Sequence, residues 1–424
     1  MLRDAIDTGG FIWLTGIDNT FITAPNPRTG RALDEYELTQ HYARWHEDLG
    51  LMAELGVRAA RYGLPWHRVN PAPGRWDFAW ADATIERLLE LGIEPVLDLV
   101  HYGVPRWIEG AFLHPDYPAR VEEYAAAVAE RFRDRVHAFT PLNEPRITAW
   151  YGGKLGWWPP FRRGWPGFLE VLFAACRGIV RTSRAIAASD PLATVLHVDA
   201  GDLYLAVDEE ARVEAERLEQ IAFLPLDLVS GRVDATHPLC SWLLAQGVPE
   251  ASLREFHEAP LALDAIGINA YPLLSLKVLS RLRGRSRVTT PYAGPEIIEQ
   301  LAALYYTRYG RPLVLSETAS DGSVERRAAW LESSVAAVAR ARACGVPIVG
   351  YTWWPLFARV AWAYRQGSRP IASYLKQMGL WDLSPGKRGL ERVRTRLVER
   401  YRELAASGTA AVGPLGRDLT ATRA

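Results

Sequence analysis

The sequence predicts one closed (β/α)8 TIM barrel with long βα loops, and three observations predict it. Eight short apolar runs alternate with helical stretches along 424 residues. Several are apolar throughout, as strands of a parallel sheet buried on both faces must be. A helix–glycine–strand junction recurs at Leu55-Gly56-Val57, Leu91-Gly92-Ile93 and Cys344-Gly345-Val346, where glycine closes a helix in the left-handed conformation before the chain re-enters the sheet. Gly92 follows Gly56 by 36 positions, the length of one βα unit. A doubly wound sheet is the rival, but no Gly-rich phosphate loop follows the first strand.

The first strand covers residues 11–17, after Gly9-Gly10, and a polar loop with Pro25, Asn26, Pro27 and Gly30 follows. Residues 42–55 carry Leu49, Met52, Ala53 and Leu55 at helical spacing. Residues 57–62 form the second strand, 80–91 a helix, 95–100 the third strand and 118–131 a helix. The fourth strand holds Val136, Ala138 and Phe139, and the remaining four cover 193–198, 265–269, 312–316 and 348–353. The excursion 152–165, with Trp157, Trp158 and Trp165, is expected to roof the mouth beside the fourth strand. The basic run in 274–295 (Lys277, Arg281, Arg283, Arg285, Arg287) is expected to be a solvated loop. The barrel is expected over 1–404, and 405–424, rich in Ala, Gly and Thr, as a poorly ordered tail.

Lys plus Arg and Asp plus Glu both number 49, so charge supports neither nucleic-acid nor membrane-surface binding. Cys176, Cys240 and Cys344 are widely spaced, with no metal or disulfide pattern, and suit a reducing compartment. The first residues lack the charged-then-apolar layout of a signal peptide. The most apolar stretch, 346–364, contains Pro347, Pro355 and Arg359 and makes a poor membrane span. A cytoplasmic protein is expected, with no cofactor and no metal; the oligomeric state is left open. The unusual feature of the composition is aromatic: 16 Trp with 17 Tyr and 12 Phe, flat faces on which sugar rings stack.

The fourth strand stops at Thr140-Pro141-Leu142-Asn143-Glu144-Pro145, where proline ends the ladder and leaves a glutamate at the strand end. Glu317 ends the seventh apolar run in the same way. Two carboxylates on two strand ends of one sheet are what retaining glycoside hydrolysis requires: one protonates the leaving oxygen, the other attacks the anomeric carbon.

With those residues in view, the chain resembles glycoside hydrolase family 1, the β-glucosidase-like family, over about residues 10–382. Thr140-Pro141-Leu142-Asn143-Glu144-Pro145 is similar to its acid/base signature. Ser316-Glu317-Thr318 stands where the family has Thr-Glu-Asn-Gly, with the Asn-Gly replaced by Thr318-Ala319. The resemblance implies a retaining β-glycosidase with Glu144 as acid/base and Glu317 as nucleophile. It also implies that Arg61 lies beside the nucleophile and His101, of His101-Tyr102, touches sugar hydroxyls. Asn143 would hold the 2-hydroxyl and Tyr271 bond the nucleophile, while Trp354 lies under the sugar and Trp362 contacts its far end. The same chemistry admits a transglycosidase, and a non-catalytic carbohydrate-binding barrel is the further alternative. Two departures fall at the far end of the sugar: Phe21 stands where the family has glutamine, and Ala361 where it has glutamate. Asp18, Asn19, Arg359, Arg365 and Gln366 lie on the right loops and are the candidates to rebuild that grip.

Overall fold

The computed structural model describes residues 1–282 and 284–416. Eight parallel strands close on themselves: β1 Ile12–Gly16, β2 Ala59–Gly63, β3 Glu94–Asp98, β4 Ala138–Thr140, β5 Thr194–Ala200, β6 Ala265–Asn269, β7 Leu313–Thr318 and β8 Ile348–Trp353. Each pairs in parallel with the next, and β1 closes the barrel by pairing with both β2 and β8. Every expected strand is present, within a few residues of its expected bounds.

The barrel interior is filled by Ile12, Leu14, Ala59, Val96, Ala138, Leu196, Val198, Ala265, Val314 and Val349. Large and small side chains alternate, so inward layers interlock as such barrels require. Gly267 in β6 is one of the small members: a Cβ there would lie 2.6 Å from Ser316 Oγ and 2.7 Å from Val198 Cγ2. The floor is plugged by a helix over Leu2–Thr8, whose Leu2 and Ala5 join this cluster. The junction glycines behave as expected, with φ of 69° at Gly56, 73° at Gly92 and 87° at Gly345.

Two expectations need correction. The basic run is not a loop. Leu276–Leu282 and Arg285–Thr289 form an antiparallel hairpin, and its first strand adds in parallel to Leu203–Ala206. Arg285–Thr289 is exposed throughout, so no alternation of apolar and polar residues marks it as a strand. Arg283 lies outside the described residues. The expected barrel–tail boundary at 404 falls inside the last helix, Leu397–Ser407. The chain beyond it packs back on the barrel, Gly416 N–H donating to the Arg342 carbonyl at 2.8 Å, while residues 417–424 lie outside the described residues. Among those described, no helix is long and apolar enough to cross a membrane.

Candidate active site

Both glutamates reach the C-terminal mouth of the barrel through irregular backbone. Glu144 precedes the short helix Pro145–Ala149 with φ 48°, a left-handed conformation uncommon outside glycine. Its N–H is held by the Val198 carbonyl of β5 at 3.1 Å. Glu317 lies within β7, where the register with β6 shifts between Leu315 and Glu317; such a bulge re-aims the side chain it carries. Glu144 is 7 % and Glu317 3 % exposed.

Their partners differ in kind. Glu317 Oε1 accepts from Arg61 Nη1 at 2.7 Å, and Oε2 from the Tyr271 hydroxyl at 2.6 Å. Glu144 Oε1 accepts from Asn269 Nδ2 at 2.8 Å, and its Oε2 from the Tyr102 hydroxyl. Ser316 Oγ donates to Asn269 Oδ1 at 2.7 Å, turning that amide so that its N–H faces Glu144. Asn143 joins the two halves: its Oδ1 accepts from Arg61 Nη2 at 3.0 Å, and its Nδ2 donates to Tyr102 at 3.1 Å. His101 Nε2 lies 3.3 Å from the same Nδ2, and its Nδ1 lies 2.6 Å from Asp98 Oδ2.

Burial pushes Glu144 up to about 7, and the nearby charge of Glu317 adds to the rise. Burial raises Glu317 as well, but there the Arg61 guanidinium and the Tyr271 hydroxyl oppose it. The cation stands on one glutamate only, so of the pair Glu144 is the one favoured to hold a proton.

The aromatic residues build the walls. Trp354 donates from Nε1 to the Asp18 carbonyl at 2.9 Å and lies parallel to His101, ring centres 6.5 Å apart. Trp362 donates to Thr20 Oγ1 at 3.1 Å and meets Trp158, Tyr151 and Tyr102 at 4.9, 5.1 and 5.4 Å. Of the expected roof Trp158 belongs to this cluster and Trp157, 49 % exposed, meets its Tyr151 at 5.5 Å, while Trp165 packs against Trp150, Phe168 and Trp242. Phe21 packs into the core against Tyr36 at 4.8 Å, and Ala361 only opens the turn that carries Trp362.

All eight residues singled out from sequence therefore converge. Sequence reasoning missed Asp98, and it placed Asp18 among the candidates for the sugar's far end, whereas Asp18 stands on Arg61. Arg61 Nη2 lies 3.0 Å from Asp18 and 3.5 Å from Asp98, so one guanidinium faces three buried carboxyl groups. Burial raises Asp18 and lifts Asp98 to about 7, against the pull of Arg61, and lowers His101. Donor atoms of Asp18, Asp98 and His101 lie within 4.8 Å of one another, a convergence that their spacing does not reveal. The guanidinium already supplies the positive charge there, so the cluster does not require a metal.

A barrel that sets two such unlike glutamates at the ends of β4 and β7 defines a glycoside hydrolase. Residues 15–200 match the family model for Glycosyl hydrolase family 1. The bifunctional beta-D-glucosidase/beta-D-fucosidase of Bifidobacterium breve is 28% identical, over 91% of this chain and 90% of its own. Beta-glucosidase A of Thermotoga maritima is 26% identical over 76% and 79%. The solved family 1 b-glucosidase from Thermotoga maritima superposes with a TM-score of 0.79 at 19% identity, covering 96% of this chain and 98% of that one, which establishes the shared fold. The chain is thus similar to glycosyl hydrolase family 1 over residues 15–200, and to the two relatives above over most of its length.

Proposed function

We propose that this chain is a retaining β-glycosidase working by double displacement. The observation that carries the reading is the contrast between the glutamates: Glu317 sits on a guanidinium, while Glu144 has only neutral donors and is raised to about 7. Glu317 attacks the anomeric carbon as the C–O bond to the leaving group breaks, and Glu144 passes its proton to the departing oxygen. Water then attacks the glycosyl ester, Glu144 takes its proton, and Glu317 is released. Arg61 and Tyr271 hold the nucleophile ionised and oriented. Asn143 and His101 face the ring hydroxyls, Trp354 lies under the sugar, and Trp362 closes its far end. Transglycosylation uses the same ester with a sugar in place of water.

With no glutamine or glutamate from Phe21 or Ala361, those positions do not penalise the wrong hydroxyl configuration, a discrimination worth about 1–3 kcal/mol per unpaired group. The glucosidase/fucosidase name of the Bifidobacterium breve relative agrees with a site that tolerates gluco, galacto and fuco sugars. Comparing kcat/KM on aryl β-glucoside, β-galactoside and β-fucoside tests both levels. Similar values are expected, and a glucoside preference above about 100-fold, ~2.7 kcal/mol, would sink the relaxed site.

The pH profile follows from the proton on Glu144. Rising pH removes it, so kcat/KM should fall through a basic limb near pH 7, where Glu144 titrates. Glu144→Ala should lose at least about 100-fold on alkyl glycosides yet far less on 2,4-dinitrophenyl glycosides, whose leaving group needs no proton. In that variant the basic limb should vanish; its persistence would assign it to another group.

A further inference from the structure

Among the loop residues able to rebuild the grip on the sugar's far end, the geometry leaves one cation unspent. Asn19 turns its Oδ1 back to the Thr20 N–H at 2.9 Å. Arg365 donates to the Trp157 and Ala24 carbonyls at 2.7 and 3.0 Å. Asp18 stands on Arg61 at 3.0 Å. Arg359, in the loop after β8, has Nε and Nη1 buried with no hydrogen-bond partner, and among the described residues no carboxylate pairs with it.

Its surroundings are those of the cleft. The guanidinium carbon lies 5.6 Å from the ring centre of Trp362, the tryptophan already packed on Tyr102 and Tyr151. Its charge acts on the phenols of Tyr271, which bonds Glu317, and of Tyr151, which also feels Glu144. Its charge also acts on Glu35, buried, with Oε2 taken by the Val360 N–H at 3.0 Å. Burial pushes Glu35 up to about 8 against the pull of Arg359, so at pH 7 it is mostly protonated and supplies little counter-charge. The cross-strand neighbour is Lys376, a second cation. A guanidinium removed from water without a partner is costly, and an arriving anion recovers that cost through charge-assisted hydrogen bonds.

We propose that Arg359 is the specificity determinant for a glycoside whose sugar carries an anionic group at the end remote from the anomeric carbon, a carboxylate or a phosphate on C6. The inference rests on the glycosidase reading above and deepens it: configuration at C4 goes unread while charge at C6 is read. A carboxylate and a phosphate share the chemistry, and the substrates separate them.

The test compares kcat/KM on 4-nitrophenyl β-glucuronide, its 6-phospho-β-glucoside and the neutral β-glucoside. At least one anionic substrate should exceed the glucoside by about tenfold or more, the preferred one naming the anion. Arg359→Met should cut the anionic-to-neutral ratio by at least about 30-fold, and Arg359→Lys should restore part of it. A neutral preference in the parent, or a ratio unmoved by Arg359→Met, overturns the proposal. If no glycoside is turned over, the hydrolase reading itself fails. Tryptophan-fluorescence titration with glucuronate, glucose 6-phosphate and glucose then decides the inference separately. Tighter binding of an anionic sugar, lost in Arg359→Met, supports it, and equal or weaker binding overturns it.

Discussion

Glu317→Gly is expected to lower turnover of aryl β-glycosides by at least about 10⁴-fold, the order of loss when an attacking group is removed from a preorganised site. Added azide should restore activity and yield the α-glycosyl azide. The glycine leaves a space beneath the anomeric carbon, lined by Arg61 and Tyr271, into which a small anion fits and from which it attacks on the same face. Glu144 still protonates the leaving group, so one inversion occurs and no second displacement follows. NMR of the product decides the matter: a β-azide would exchange the roles of the two glutamates.

Arg61→Met carries the second large effect, on folding as well as rate. The guanidinium faces Glu317, Asp18 and Asp98, all at most 4 % exposed. Its removal leaves buried carboxylates without a cation, at a cost of about 3–5 kcal/mol. The sign with pH follows from burial, which raises these acids. A carboxyl whose folded value lies above its unfolded one, about 4, binds protons more readily when folded. Its contribution is therefore full at low pH and lost as pH rises through the folded value, about 7 for Asp98. The variant's deficit in urea unfolding should be small at pH 5 and large at pH 8. Equal deficits at both would mean that the three acids do not depend on Arg61.

The barrel and its two glutamates were legible because the signals are local. An apolar run, a proline stop and a capping glycine each act within a few residues. Asp98 was not legible, since an aspartate ending an apolar strand gives no sign that the strand before it carries the guanidinium it will meet. Asp18 sits in a polar loop, and only closure of β1 against β2 sets it 3.0 Å from Arg61. The helix over Leu2–Thr8 is too short for periodicity to declare it. The hairpin after β6 escaped for the opposite reason: its outer strand buries no face. Arg359 was visible only as one of five candidates, and its standing depends on which of the others had already found partners.

The hydroxyl of Tyr102 on Glu144 changes what substrate binding must accomplish. Tyr102 holds a left-handed backbone, φ 69°, and its phenol is hemmed in by Trp158 and Trp362. On the proposed mechanism the carboxyl of Glu144 is therefore already solvated from within, and a glycosidic oxygen arriving there enters as a competitor. Each molecule of sugar trades an internal hydrogen bond for an external one, so the net gain is the difference between the two. A weakly basic leaving-group oxygen, such as that of a dinitrophenyl glycoside, is the weaker acceptor of the proton and the one least able to win that exchange. On that mechanism, selection among aglycones begins at the door, before any bond to carbon is strained.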